Sequence, residues 1–375
     1  MDSSFPYRTV ICFFGDSANM HFRKWVRYFV KQGYETHCVT CSRQDVEGST
    51  MHYVGYGMGK ADYVLAMPRV VRIVRQIKPS LIHIHFLSGY GLLSLPLLFG
   101  ERPLIGTAWG SDVLIAPAKS YIAKQVVKIV LKKSKFLIAV SPQLKEVMVN
   151  LGADSNKVAV LPIGVDTKVF IPAAYRDGHL LKVLSLNSHE PVYNTGDIIK
   201  AVAEVKSQGL DIKAVLVGKG SETERLRAQV ASLGLDDCIY FPGRVSLQEL
   251  LALLQESQVY VSMASSGGTP VSLLEAMACG AFPIVTDIPG HREWIESGFN
   301  GILVPQGSAH LLVKAILKVA DGSIDRQKAR VHNRKLVLQK ADWDSCMLDA
   351  EKIYREVTGC AVGTGGIDES VQHNE

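Results

Sequence analysis

The chain has 375 residues, 47% of them hydrophobic and 21% charged, with a formal net charge of +5. That length suits about two domains of roughly 150 residues each, and so mild a charge does not point to nucleic acid as a partner. The most apolar run, 91–99, is too short to span a bilayer and contains Pro96,. Residues 1–14 carry Asp2 and no small-residue cleavage site, so no secretory leader is expected either,.

Seven scattered cysteines suit a reducing cytoplasm and free buried thiols,. Cys38 and Cys41 form a C-x-x-C inside a strand-like run, without a second pair of ligands. They read as core thiols rather than as a redox or zinc site, and no metal site is expected.

In chain order, 9–14 is the first strand, followed by the loop from Gly15 to His21 and a helix with Trp25, Val26, Phe29 and Val30 on its apolar face,. Strands are predicted at 35–41 and 51–54. A basic helix at 63–76 leads into strand 81–85, then come a helix from Tyr90, strand 103–107, a helix at 121–133 and strand 136–140. Ser141-Pro142 opens another helix as N-cap and first residue, and strand 158–161 follows,. The first loop lacks G-x-G-x-x-G, so nucleotide binding there is not supported.

Residues 171–178 read as a linker, after which the alternation restarts. Strands are predicted at 182–186, 213–218, 239–241, 259–263, 281–285 and 301–304. Helices are predicted at 196–207, 222–233, 247–256, 270–279, 309–320 and, finally, 343–357. Strands alternating with helices imply parallel sheets, hence an α/β fold of two Rossmann-like domains facing a cleft. The boundaries are 1–170 and 171–339, with a helix at 340–358 crossing back to the first domain and a tail at 359–375 too polar to pack,. Ligands of such sheets bind at the carboxyl ends of the strands.

The stretch 259–295 is the most informative. A strand, a small-residue loop, Pro270 and a helix stopped by Gly280 form a βαβ unit whose helix N-terminus suits a phosphate,. Glu275 lies about one turn in. It either offsets the helix dipole or holds a hydroxyl-bearing ligand beside the phosphate.

Several segments resemble the group 1 glycosyltransferases, retaining enzymes of family 4 with the GT-B fold. They are LPIGVDTKVF (161–170), LVGKGSETERL (216–226), FPGRV (241–245), TPVSLLEAMACGAFPIV (269–285), DIPGHREWIESGFNGILVP (287–305) and WGSDV (109–113). The resemblance covers nearly the whole chain. It implies a nucleotide-diphosphate sugar as donor in the second domain and a carbohydrate or lipid-linked carbohydrate acceptor in the first, without a metal or bound cofactor. Glu275 would hold the ribose, and the backbone N–H groups of Ser272, Leu273 and Leu274 the diphosphate. Gly243, Arg244 and Val245 would cover the base. Gly218 and Gly220 would let their loop, with Lys219, approach the donor, and Gly267 and Thr269 would border it. Asp16 and His21 would face the acceptor or the donor sugar. Polysaccharide or glycolipid assembly in the cytoplasm, at the inner face of a membrane, fits that set.

The sequence also departs from the family. Gly267 stands where the first glutamate of the E-x₇-E pair is expected. The diphosphate-binding Arg and Lys are replaced by Asn187 or Ser188 and by Asn194 or Thr195, and Trp109 stands where many relatives have His. Loss of an arginine–phosphate contact in a dry cleft costs roughly 2–4 kcal/mol of transition-state stabilisation. Two readings follow: an active transferase compensated by Lys219, Arg244 or His291, or a catalytically weak homologue that binds without efficient transfer. His189 is a candidate cation in an exposed loop. Asp112 either orients its loop or bonds the acceptor. Glu293 either bonds loop backbone near the donor or forms a surface ion pair. Of His83 and His85, one is expected to face the cleft and the other to pack in the core. Lys119, Lys124, Lys128, Lys132, Lys133 and Lys135 mark either a solvated helix face or a patch for an anionic membrane surface,.

Overall fold

The computed structural model describes residues 9–174 and 180–359. Part of the expected linker, 175–178, and the tail from 360 onward lie outside the described residues. The expected alternation resolves into two wholly parallel sheets. The first has seven strands: β1 (Val10–Phe14), β2 (Glu35–Thr40), β3 (Thr50–Tyr53), β4 (Leu81–His85), β5 (Leu104–Ala108), β6 (Phe136–Ala139) and β7 (Val158–Val160). The second has six: β8 (Leu181–Leu186), β9 (Ile212–Val217), β10 (Ile239–Gly243), β11 (Val259–Ser262), β12 (Phe282–Thr286) and β13 (Ile302–Val304). Their orders are β3-β2-β1-β4-β5-β6-β7 and β10-β9-β8-β11-β12-β13. Central strands read as near-continuous apolar runs because helices cover both sheet faces,. In each order the direction of growth reverses once, between β1 and β4 and between β8 and β11. Such switch points open a crevice at the strand carboxyl ends.

Some helical stretches differ from expectation. The basic helix is two pieces, Asp62–Leu65 and Met67–Ile77, because Pro68 takes the first turn of the second,. The lysine-rich helix stands at the expected 121–133, with a separate short helix before it. Ala116–Lys119 ends at Ser120, whose extended backbone and hydroxyl cap the next helix, Tyr121–Lys133,. Arg326–Lys340 was not expected as a helix at all. It buries only Ala329, Asn333 and Val337, so it shows little apolar periodicity,.

The last helix, Trp343–Thr358, returns to the first sheet. Trp343, Cys346, Met347, Ala350, Tyr354 and Val357 recur at three- and four-residue spacing and join Phe13, Trp25 and Phe29 in one core,. Leu348 is exposed. The Tyr354 ring stacks on Phe29 at 4.4 Å. Its hydroxyl accepts from the Trp25 indole at 2.9 Å and meets His83 Nδ1. Just before this helix the chain lies beside the segment leaving the first sheet: Val165 N–H donates to Ala341 O at 2.8 Å and Trp343 N–H to Val165 O at 2.9 Å.

Tyr354→Phe keeps the stacking and leaves two buried polar groups without this partner. It should lower the unfolding free energy by about 1–3 kcal/mol, measured as a shift in the urea midpoint at unchanged slope. No shift would show that the hydroxyl contributes nothing.

Candidate active site

The carboxyl ends of both sheets line one cleft of about 800 Å³. One wall comes from the first domain after β1: Ala18, Met20, His21 and Arg23. The other comes from the second domain, on loops after β8 (Asn187, Ser188), β9 (Gly218, Lys219), β10 (Arg244, Val245), β11 (Ser266 to Pro270) and β12 (Ile288, His291). Both switch points therefore open into the same space.

The helix Val271–Cys279 starts at this cleft. Its first N–H groups have no carbonyl one turn earlier within the helix,. Leu274 N–H is already given to Pro270 O at 3.1 Å, so the expected backbone set narrows to Ser272 and Leu273. The Leu273 and Leu274 side chains are fully buried in the core, and only backbone is at issue there. Val271, Ser272 and Glu275 share one helical face and line the cleft,. The Ser272 hydroxyl is held by Tyr260 Oη at 2.8 Å. Burial raises the Glu275 carboxyl from its ordinary 4.5 to about 7, opposed by the charge of Lys24 from the first domain.

The glycine loop sits between the domains. The Thr269 hydroxyl donates to Val140 O. A Cβ at Gly268 would lie 2.7 Å from Trp109 O, whereas a Cβ at Gly267 would meet nothing within 4 Å. Across the cleft, the His21 ring stacks on Trp109 at 6.0 Å, and the Trp109 indole N–H donates to His85 Nδ1 at 3.2 Å. Burial, and then Lys24, lower the His21 pKa.

Several expected site residues lie elsewhere. The Asp112 carboxylate is buried and accepts from the backbone N–H groups of Leu87, Trp109 and Gly110 at 2.9–3.1 Å. It organises its loop and does not line the cleft. Asp16 likewise accepts from Ala18 N–H at 2.9 Å and from Ser42 Oγ. His189 is not exposed. It is 1% accessible, bonded through Nδ1 to Thr223 Oγ1 at 3.0 Å, and its pKa is lowered by burial, so it is no cleft cation. Gly220 serves that same packing, since its Cβ would fall 2.3 Å from His189 O. Gly218, at φ +136°, lines the cleft and also lies against Asn187 O. Neither His83 nor His85 reaches the cleft. Both are fully buried, and burial takes His85 down to about 3. Glu293 is half-buried near Lys340, with its pKa raised to about 7 mainly by burial. Asn187, standing where a cation was expected, donates to Ser262 Oγ at 3.1 Å, and Asn194 donates to Met263 O at 2.9 Å.

The cations at the cleft are Arg23, Lys219 and Arg244. Arg23 was missed by the sequence reading. Its guanidinium donates to Ser17 O at 2.8 Å and Ala18 O at 2.9 Å, which fixes it at the rim. Its signal was an Arg-Lys pair in the first turn of a helix, where the dipole disfavours cations,.

Two parallel sheets around a shared cleft, with a C-terminal helix crossing back, are the architecture of the GT-B fold. Solved structures agree on the fold. HepE from Anabaena, in complex with UDP and glucose, matches with TM-score 0.78 over 93% of this chain and all of that one, at 16% identity. Sucrose-phosphate synthase from Thermosynechococcus elongatus matches with TM-score 0.79 over 94% of this chain and all of that one, at 18% identity. Residues 173–336 match the family model "Glycosyl transferases group 1", and residues 10–141 match "Glycosyl transferase 4-like". The chain belongs to the group 1 glycosyltransferases and is an enzyme of that kind. Among relatives, an uncharacterized glycosyltransferase of Methanocaldococcus jannaschii is 24% identical over 71% of each chain. Phosphatidyl-myo-inositol mannosyltransferase of Mycolicibacterium smegmatis is 25% identical over 76% of this chain and 72% of its own. The amylovoran biosynthesis glycosyltransferase AmsK of Erwinia amylovora is 26% identical over 52% of this chain, and the match spans about half (49%) of its length.

The raised Glu275 pKa has a stability consequence. Between its ordinary 4.5 and about 7 the folded protein holds a proton that the unfolded chain has released. Stability therefore falls as pH rises through that window, and the penalty is complete above it. Glu275→Gln removes the penalty. The variant should melt higher than wild type at pH 8 and lose that advantage as pH falls towards 4.5. A difference in melting temperature that ignores pH would place the carboxylate in water.

Proposed function

We propose that the chain is a retaining, metal-independent glycosyltransferase that moves a hexose from a nucleotide-diphosphate sugar to a carbohydrate or lipid-linked carbohydrate acceptor. One observation carries the reading: a helix N-terminus and the carboxyl of Glu275, on one helical face, open into an 800 Å³ cleft between two domains. The diphosphate sits at the N–H groups of Ser272 and Leu273, and Glu275 accepts from the ribose hydroxyls. The Gly243 to Val245 segment covers the base. Lys219, Arg244 and Arg23 meet the charge that develops on the leaving diphosphate, which in other enzymes falls to a metal. His21 faces the transferred sugar or the acceptor. Among the described lining residues Glu275 is the sole carboxylate, so none is left to act as a covalent nucleophile, and a retaining transfer here proceeds without a glycosyl-enzyme intermediate. The donor domain runs over 171–339, and the acceptor domain over 1–170 with the 340–358 helix. UDP and glucose in the Anabaena structure, and amylovoran and phosphatidyl-myo-inositol in the relatives' names, support the substrate class.

A peripheral station on the inner face of a membrane belongs to the same proposal. On the helix Tyr121–Lys133, Tyr121 is 76% and Ile122 70% exposed, beside exposed Lys124 and Lys128. Among the described residues no helix is long and apolar enough to cross a membrane. An amphipathic face of this kind fits an anionic lipid surface.

A thermal-shift screen of nucleotide sugars, followed by a donor-hydrolysis assay, tests the donor site. Stabilisation by at least one nucleoside diphosphate is expected, and none would overturn the site. Glu275→Ala should weaken nucleotide binding about tenfold, near 1.4 kcal/mol. Unchanged affinity would remove its ribose role, and binding without turnover on any acceptor would assign the weak-homologue reading. In a separate flotation assay, the protein should rise with phosphatidylglycerol vesicles at low salt, and a Tyr121→Ser, Ile122→Ser variant should not. Failure of the wild type to float removes the membrane contact.

A further inference from the structure

The donor wall has a stretch without hydrogen-bonding side chains. Gly267, Gly268 and Pro270 bring none, and the Thr269 hydroxyl is committed to Val140 O. Ser266 stands exposed at the rim. A hexose carries several hydroxyls, and one that loses water by packing against this stretch needs an acceptor.

The loop after β12 provides one. Gly290 lies directly on the glycine loop: a Cβ there would be 2.8 Å from Gly268 O and 3.2 Å from Gly267 O. The next residue, His291, is 3% accessible and lines the cleft. Its Nδ1 lies 2.7 Å from Thr286 O. A carbonyl can only accept, so Nδ1 carries the proton, and in the neutral ring Nε2 is an acceptor. Burial lowers the His291 pKa, with the Thr286 bond opposing it, which keeps the ring neutral near pH 7. Among the described residues Nε2 has no protein partner, and it is not sealed in the core.

We infer that His291 Nε2 accepts a hydrogen bond from a ring hydroxyl of the donor's sugar, at the corner that Gly267 leaves without a side chain. The inference rests on the donor site proposed above. His291 then distinguishes the sugar conjugate from the bare nucleotide. It contributes to sugar recognition and not to holding the diphosphate.

Two substitutions separate its ring nitrogens. Asn reproduces the donor at Nδ1 and drops Nε2, whereas Gln places an amide near Nε2 and drops the Thr286 bond. Calorimetry would compare UDP and GDP with their glucose, galactose, N-acetylglucosamine and mannose conjugates. In His291→Asn, the affinity for the bare diphosphate should be unchanged and that for the preferred sugar conjugate should fall about 5–10-fold, the size of one hydrogen bond. In His291→Gln most of the sugar's contribution should survive. Equal loss for diphosphate and conjugate in the Asn variant, or no loss for either, would overturn the inference, as would a loss in Gln as large as in Asn. Failure of the wild type to bind any diphosphate is a different result: it removes the donor site itself, and this role of His291 with it.

Discussion

Everything at the cleft depends on strand direction. All thirteen described strands run parallel to their neighbours, so each sheet collects its loops at one edge,. Two such edges form one site only if the chain turns them toward each other. The adjacent passages at Val165 and at 341–343 tie the two halves where the chain leaves and re-enters the first domain. The buried face of the last helix then anchors that return to the first core through Tyr354, Met347 and Trp343. The cleft loops are therefore positioned by packing far from them.

That geometry also sets the electrostatics. The polar groups deepest in the cleft lose water, and their charged forms are penalised. Glu275 is raised, while His21 and His291 are lowered, with burial as the largest cause for each,. The permanent charges stand instead on long side chains, Arg23, Lys219 and Arg244, which reach the cleft from one helix of the first domain and two loops of the second. A site with neutral acceptors inside and cations around them suits a ligand that is uncharged at one end and anionic at the other.

Much of this was legible in the sequence, for definite reasons. The central buried strands are largely apolar, and β1, β8, β9 and β12 are followed at once by Gly, Asn, Gly and Asp, so the strands were legible to within about two residues, the usual uncertainty of element ends,. Arg326–Lys340 escaped because it packs with three small or medium side chains and shows water the rest. Ser272 and Glu275, which line the cleft, were picked out by the strand–loop–helix order around them. His189 was misread as an exposed cation because it serves its own loop through Thr223, and of the two readings open for Asp112 the structure bears out the one in which it organises loop backbone, accepting from three N–H groups. No spacing rule separates a carboxylate aimed at backbone from one aimed at substrate, because both sit just past a strand.

Arg23 and the neutral pair Asn187 and Asn194 bear on each other. The asparagines tie loop ends of the second domain together, to Ser262 and to Met263 O, in positions where cations would have to be desolvated. Moving one positive charge to the first domain relieves that penalty in the empty protein. It also makes the full complement of cations a property of the assembled cleft, because Arg23 meets Lys219 and Arg244 only across the domain gap. The Thr269 to Val140 bond and the packing of Gly268 on Trp109 O hold that gap closed in this structure. On the function proposed above, a nucleotide held by the second domain alone would meet only part of the charge it needs. Transition-state stabilisation would then be tied to the approach of the domain proposed to carry the acceptor, which would disfavour loss of the sugar to water before the acceptor arrives.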